Sequence, residues 1–219
     1  MTRPHRWITT LSLCLLAGLV QTGCSTAAKA VDPVHISSQQ RDFDKQTGIL
    51  RQHMQALQAR GDPLGDYYYA LANSDGWIHD VTDPKAITAL FEKAAAKGSM
   101  DAKILLALQV AMDEPIPGQL DDGQGPGRDL AQWERGLAQL LPLLQQQCSA
   151  RRLVLDMGKP RVRYYSIAYK VWPTFRDGRH TQNEQGQWVP YVPKDPTRQK
   201  VWESIHRSCS IPQNEWLYE

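Results

Sequence analysis

The chain has 219 residues, with 25 Lys and Arg against 23 Asp and Glu, for a formal net charge of +2. That near-neutral balance, with no basic stripe, argues against a nucleic-acid binder, which needs a positive face for the phosphates. The length suffices for one domain with a real hydrophobic core.

The first residues read MTRPHRWITTLSLCLLAGLVQTGC. Arg3 and Arg6 make a basic start, Ile8 to Val20 a short apolar run, and Thr22-Gly23 a small-residue site before Cys24. This is a secretory signal pattern, and the apolar run falls short of the roughly 20 residues a membrane-spanning helix needs. Arg3 and Arg6 carry the whole positive excess, so the chain beyond them is neutral. Gly23-Cys24 at the end of the apolar run resembles the bacterial lipoprotein signal, in which the cysteine is lipidated and becomes the new N-terminus. The resemblance implies a signal peptide over 1–23 and a lipid on Cys24; a plain secretory signal cleaved nearby is the alternative. Gln21 departs from the pattern, which usually has Leu there. Ser25 rather than Asp after the cysteine implies, by the same resemblance, the periplasmic face of the outer membrane. The membrane would be engaged through the lipid alone.

Residues 24–40 are small and polar without a period, and read as a tether reaching about 20 Å if flexible. The helical period starts at Arg41, with Leu50, Met54 and Leu57 on one face, and stops at Gly61. Asp62-Pro63 restarts the chain, because Asp caps a helix and Pro suits its first position. Leu64, Tyr67, Tyr68 and Leu71 mark the second helix. Asp83-Pro84 starts a third, with Ile87, Leu90, Phe91, Ala94 and Ala95 at helical spacing. Gly98 ends it and Ser99 can cap the next, Met100 to Met112, which is apolar on nearly all sides. Such a helix must be buried on several sides, which stacked helix pairs provide.

Gly61 and Gly98 lie 37 residues apart, a spacing in the range of helical repeats. Ala86, Phe91, Lys93, Ala94, Ala95, Gly98, Ala102 and Leu106 make the unit Asp83–Met112 resemble a Sel1-like repeat, a relative of the tetratricopeptide repeat. Phe43–Asn73 is a degenerate copy that keeps Gly61, Leu71 and Ala72. The resemblance spans about 70 of the 219 residues and implies a mainly α fold of stacked antiparallel helix pairs over 41–112, an α-solenoid. Ala94, Ala95, Gly98, Ala102 and Leu106 would pack its helices.

Residues 113–128 are rich in Pro, Gly and Asp and read as a long loop. The remainder, 129–219, is expected to be a mainly helical block packed on the repeats. Leu130, Trp133, Leu137, Leu140, Leu141 and Leu144 form a stripe that Pro142 should kink or split. The helical reading continues to Met157, stops at Gly158, and resumes from Arg161 to Trp172. Gly186 with Trp188, Val189 and Tyr191 suggests a short β-hairpin. Asp195-Pro196 starts a last helix, with Val201, Trp202 and Ile205 on one face. This block resembles an uncharacterised segment that follows Sel1-like repeats in some proteobacterial lipoproteins.

With Cys14 in the signal and Cys24 lipidated, Cys148 and Cys209 remain, an even pair in an oxidising compartment. They make a disulfide or two buried thiols. No catalytic site, metal site or cofactor motif stands out: the histidines are scattered, and Asp121-Asp122-Gly123 lacks the further ligands of a calcium loop. The expected task is therefore to bind a protein. An immunity or inhibitor protein against a secreted toxic effector is one form of it, because small Sel1-like lipoproteins resemble such antidotes. An envelope scaffold or assembly factor is another, and a cell-wall enzyme with an unrecognised C-terminal site is the competing class. Tyr68, Trp77, Trp188 and Tyr191 are the candidate partner-binding aromatics.

Overall fold

The computed structural model describes residues 38–112, 130–156 and 159–217. The expected signal peptide, Cys24, the tether up to residue 37 and the loop over 113–128 lie outside the described residues. The chain divides into two compact units, residues 1–45 and 46–219. In the first, residues 38–45 are helical, with Gln40 Nε2 donating to Asp44 at 2.9 Å. The tether therefore ends earlier than expected, because residues 38–40 already belong to helix α1, which runs over 38–59.

The second unit is mainly helical with two small antiparallel sheets. After α1 come α2 (Pro63–Ser74), α3 (Pro84–Ala96), α4 (Met100–Met112) and α5 (Leu130–Gln146). They are followed by β1 (Ser149–Asp156), β2 (Lys159–Ser166), α6 (Ala168–Asp177), β3 (Arg179–Gln182), β4 (Trp188–Val192), α7 (Pro196–Ser208) and β5 (Glu215–Trp216). The helix starts are where the Asp-Pro pairs place them. Asp62 accepts from Leu64 N–H, Asp83 from Ala86 N–H, and Asp195 from Thr197 and Arg198 N–H.

The stops at Gly61 and Gly98 share one geometry. Gly61 (φ 72°) donates to Gln58 and the following Asp62 to Leu57; Gly98 (φ 106°) donates to Ala95 and Ser99 to Ala94. A side chain resists these left-handed backbones, and the crossed bonds satisfy carbonyls that the helix leaves open. The same closure thus recurs at both ends of the 37-residue spacing, once after α1 and once after α3.

The helices pack in chain order: α2 against α3, α3 against α4, α4 against α5. Two glycines bring backbones into contact. A Cβ at Gly65 would lie 2.7 Å from Gln58 N, and one at Gly136 would lie 2.2 Å from Ala111 N. α4 is sandwiched between α3, α5 and β1, and Ala102, Ile104, Leu105 and Leu108 are buried there. α5 continues unbroken through Pro142 instead of splitting.

Beyond α5 the continuation expected to Met157 is a strand, and the helix expected over Arg161–Trp172 is a strand up to Ser166 and helical only from Ala168. Residues 149–156 and 159–166 pair antiparallel, Ser149 opposite Ser166 and Asp156 opposite Lys159. β2 alternates as a half-buried strand does: Pro160, Val162, Tyr164 and Ser166 are buried, while Arg161, Arg163 and Tyr165 are not. β5 adds a third strand at Arg161 and Val162. The C-terminal block is thus a mixture of helix and sheet. The hairpin expected around Gly186 is present as β3–β4. α6 runs through Pro173 to Asp177, and on α7 it is Trp202 that is buried while Val201 is exposed.

Asp101, in the first turn of α4, is 1% exposed and joins the two parts of this unit. It accepts from Arg151 N–H (2.8 Å), Arg151 Nη1 (2.7 Å) and Gln147 Nε2 (3.1 Å). Arg151 Nε donates to the Tyr164 hydroxyl, which donates to Glu215 at 2.5 Å. Tyr67 of α2 donates to Arg151 O, and Gln147 to Ser149 O. β1 is the outer strand of its sheet, so these side chains occupy the edge groups that another strand would otherwise seek.

Cys148 and Cys209 form a disulfide across 61 residues. A loop of that length is stabilised by about 4 kcal/mol through restriction of the unfolded chain.

Three outcomes follow from this packing. Gly136→Ala should lower stability in a denaturant melt by about 2 kcal/mol or more, because the new methyl meets backbone. Gly48→Ala, where nothing lies within 4 Å, should raise it by about 0.5–1 kcal/mol. Asp101→Ala should cost about 3 kcal/mol by leaving the partly buried Arg151 guanidinium without its carboxylate and the Arg151 N–H without its acceptor. A further outcome concerns pH. Burial opposes the charge on Asp66, but Lys97 and Lys93 hold its carboxyl below the ordinary value of 3.8. Its contribution is therefore present above that value and is lost as pH falls through the lowered folded value. Stability measured against pH should show Asp66→Asn weaker than the parent at neutral pH, with the two converging in acid.

Candidate functional site

The structure separates the aromatics that the sequence suggests as partner contacts. Tyr68 is buried, its ring 5.9 Å from that of His53 and 5.8 Å from that of Tyr67, so it belongs to the core and offers no surface. Trp77 is half-buried against the same core. Trp188 is 54% exposed on β4, whereas Tyr191 is half-buried. The β3–β4 register shifts between them, leaving Tyr191 as the extra residue of β4, so the two differ in burial and the strand does not present them as an equivalent exposed pair. Of the small residues expected at helix contacts, Ala94 and Ala102 are fully buried. Ala95 and Leu106 are only half-buried.

Their partial exposure has a cause. α3, α4 and α5 leave a recess of about 350 Å³ between them, lined by Ala95, Leu106, Ala107, Val110 and Leu143, with Lys103 and Glu92 among its polar residues. Gln109 Nε2 reaches Thr88 Oγ1 across it at 3.5 Å. α4 carries few polar residues because three sides are covered by neighbours; at this recess, its fourth side, Lys103 and Gln109 stand beside Leu106 and Val110.

A second recess, a cavity of about 290 Å³, opens on the sheet side. Leu105 and Leu108 of α4, Leu153 of β1 and Ile167 supply apolar walls. Arg152, Lys170 and Asp75, which follows α2 directly, supply charge. Tyr165 and Tyr169, 43% and 54% exposed, flank it. Arg152 Nη2 lies 3.9 Å from Asp75 Oδ1, too far for a hydrogen bond. Burial raises the Asp75 carboxyl above its ordinary value, and Arg152 offsets this only in part. A carboxylate in that condition, in an apolar cavity with few polar groups, is a mark of a binding site. None of these residues stood out in the sequence, where 161–172 reads as a single helix, whereas Tyr165 comes from β2 and Tyr169 from α6.

Ser166 also lines the cavity, and its Oγ is 2.8 Å from His206 Nδ1. A nucleophilic serine needs a base that is itself oriented, and donors for the developing oxyanion. Among the described residues no carboxylate hydrogen-bonds the other ring nitrogen of His206, whose remaining ring contact is Tyr169 at 5.5 Å. The pair therefore anchors the end of α7 to the end of β2, beside the disulfide. Among the described residues there is no group of three His, Cys, Asp or Glu side chains placed to hold a metal ion, and no helix long and apolar enough to cross a membrane.

Compared with known proteins, the chain matches no family model, no curated protein and no solved structure.

Proposed function

We propose that this chain is a lipid-anchored periplasmic protein of the Sel1-like repeat class whose task is to bind another protein, and that the α3–α4–α5 recess receives part of that partner. The observation that carries this reading is that Leu106 and Val110, one turn apart on a helix whose other aliphatic residues are mostly buried, are half-exposed at this recess. An apolar floor with polar residues around it is the anatomy of an interface centre, and stacked helix pairs are scaffolds for such surfaces. Small Sel1-like lipoproteins resemble antidotes to secreted toxins, so a periplasm-acting toxic effector is the first partner class to test.

The experiment is a pull-down of the mature protein from cell envelopes, read by mass spectrometry, with wild type and Leu106→Glu side by side. Leu106 is not enclosed, so Leu106→Glu should leave the melting temperature within about 2–4 °C of wild type. It should weaken the partner by about tenfold or more. Undiminished affinity in this variant would remove the recess from the interface. The anchor has its own measurement: Cys24→Ser should abolish lipid labelling and move the protein to the soluble periplasmic fraction. Retention of the processed variant in the membrane would contradict lipidation.

A further inference from the structure

The cavity on the sheet side is built from residues other than those of the helical recess, and its chemistry is different. Its walls are apolar, yet it carries one carboxylate and two cations, Asp75, Arg152 and Lys170. We propose that this cavity binds a small zwitterion with an apolar body, of the class of the free apolar α-amino acids, with its ammonium on Asp75 and its carboxylate toward Arg152 and Lys170.

The charges select this class by elimination. The Asp75 side chain is 17% exposed, and its one charged contact is Arg152 at 3.9 Å. Among the described residues no donor hydrogen-bonds its oxygens, although a largely buried carboxylate gains most from N–H donors at hydrogen-bond distance. An ammonium supplies three such donors. A simple cation, however, would meet two positive side chains in the same cavity, and a simple anion would meet Asp75. A ligand carrying both charges on neighbouring atoms satisfies both. The apolar part then covers Leu105, Leu108 and Leu153, and a cavity of about 290 Å³ limits the body to roughly one aliphatic or aromatic side chain. Burial holds the Asp75 carboxyl above its ordinary value, and an adjacent ammonium would draw it back down.

The inference does not depend on the protein-binding reading, and its test uses neither the recess nor a protein partner. The purified protein is titrated calorimetrically with leucine and phenylalanine, and with glycine, N-acetyl-leucine and leucinamide. Saturable binding of leucine or phenylalanine is expected. Glycine lacks the apolar body, the acetylated analogue lacks the ammonium and the amide lacks the carboxylate, so each should bind about tenfold weaker or worse. Asp75→Asn should lose leucine affinity to a similar degree. Its melting should stay near wild type, because the Asp75 side chain makes no hydrogen bond among the described residues. The proposal is overturned if no zwitterion binds at about 10 mM, if N-acetyl-leucine or leucinamide binds as well as leucine, or if folded Asp75→Asn binds leucine unchanged.

Discussion

The ion pair between Asp101 and Arg151 sets the position of everything after α5. Asp101 is 1% exposed, and its two oxygens receive the Arg151 backbone, the Arg151 guanidinium and Gln147. Burial opposes the guanidinium charge, but Asp101 and its hydrogen bonds outweigh that effect and raise the Arg151 pKa above its ordinary value. A buried pair of this kind gains little net stability against an apolar substitute, because desolvation consumes most of the attraction. It is costly to leave half-made, however, and that cost gives specificity. One backbone N–H and one side chain of the same residue meet one carboxylate, so the hairpin cannot slip by a residue without leaving Asp101 charged and alone. The register that this fixes places Arg152 beside Asp75 and Tyr165 at the mouth of the cavity. The electrostatics of the helix–sheet junction thus determine where the cavity's charges sit.

Close backbone approach is the second constraint. Gly65 and Gly136 have no space for a Cβ, and Ala94 and Ala102 are completely buried. Helices drawn together at such points cannot also cover every flank of α4. Leu106 and Val110 remain half-exposed because α3 and α5 are held by contacts elsewhere, at Ala94 of α3 and at Ala102 and Ala111 of α4. Core packing and an open apolar strip are therefore two consequences of one arrangement of small residues.

The helical part was legible because its signals are local. Asp62, Asp83 and Asp195 cap with their own side chains, Gly61 and Gly98 stop helices through their own backbones, and Leu50, Met54, Ile87 and Phe91 show a period within a few turns. The β1–β2 hairpin was less so. Leu153, Val154 and Leu155 form a short apolar run that suits either a buried helix segment or a strand, and Gly158 serves equally as a helix stop or a hairpin connection. The alternation Pro160, Val162, Tyr164, Ser166 was present, but it runs directly into the helix that starts at Ala168, and the two fuse into one apparent helical segment. The cavity could not be read at all, since Asp75, Leu105, Arg152 and Lys170 come from four elements whose meeting depends on the Asp101–Arg151 contact.

The two recesses differ in how firmly they are held, and that difference suits them to different ligands. The cavity lies between β1 and the start of α6, and both are pinned at the same end. Cys148, just before β1, is bonded to Cys209 at the end of α7, its carbonyl accepts from Ile167 N–H, and Ser166 meets His206 one turn earlier on α7. A small ligand has few atoms with which to recover the cost of ordering its site, so it needs walls fixed in advance. A cross-link and two hydrogen bonds at one corner provide them. The helical recess has no such cross-link among the described residues; its floor is largely aliphatic and its sides belong to three helices held mainly by packing, with single hydrogen bonds from Gln109 to Thr88 and from Gln132 to Val110 O. A protein partner spreads its contacts over many residues and tolerates small side-chain adjustments at each. A rigid, charged cavity and an open, apolar recess on one scaffold are thus physically matched to a small polar molecule and to a macromolecular surface respectively.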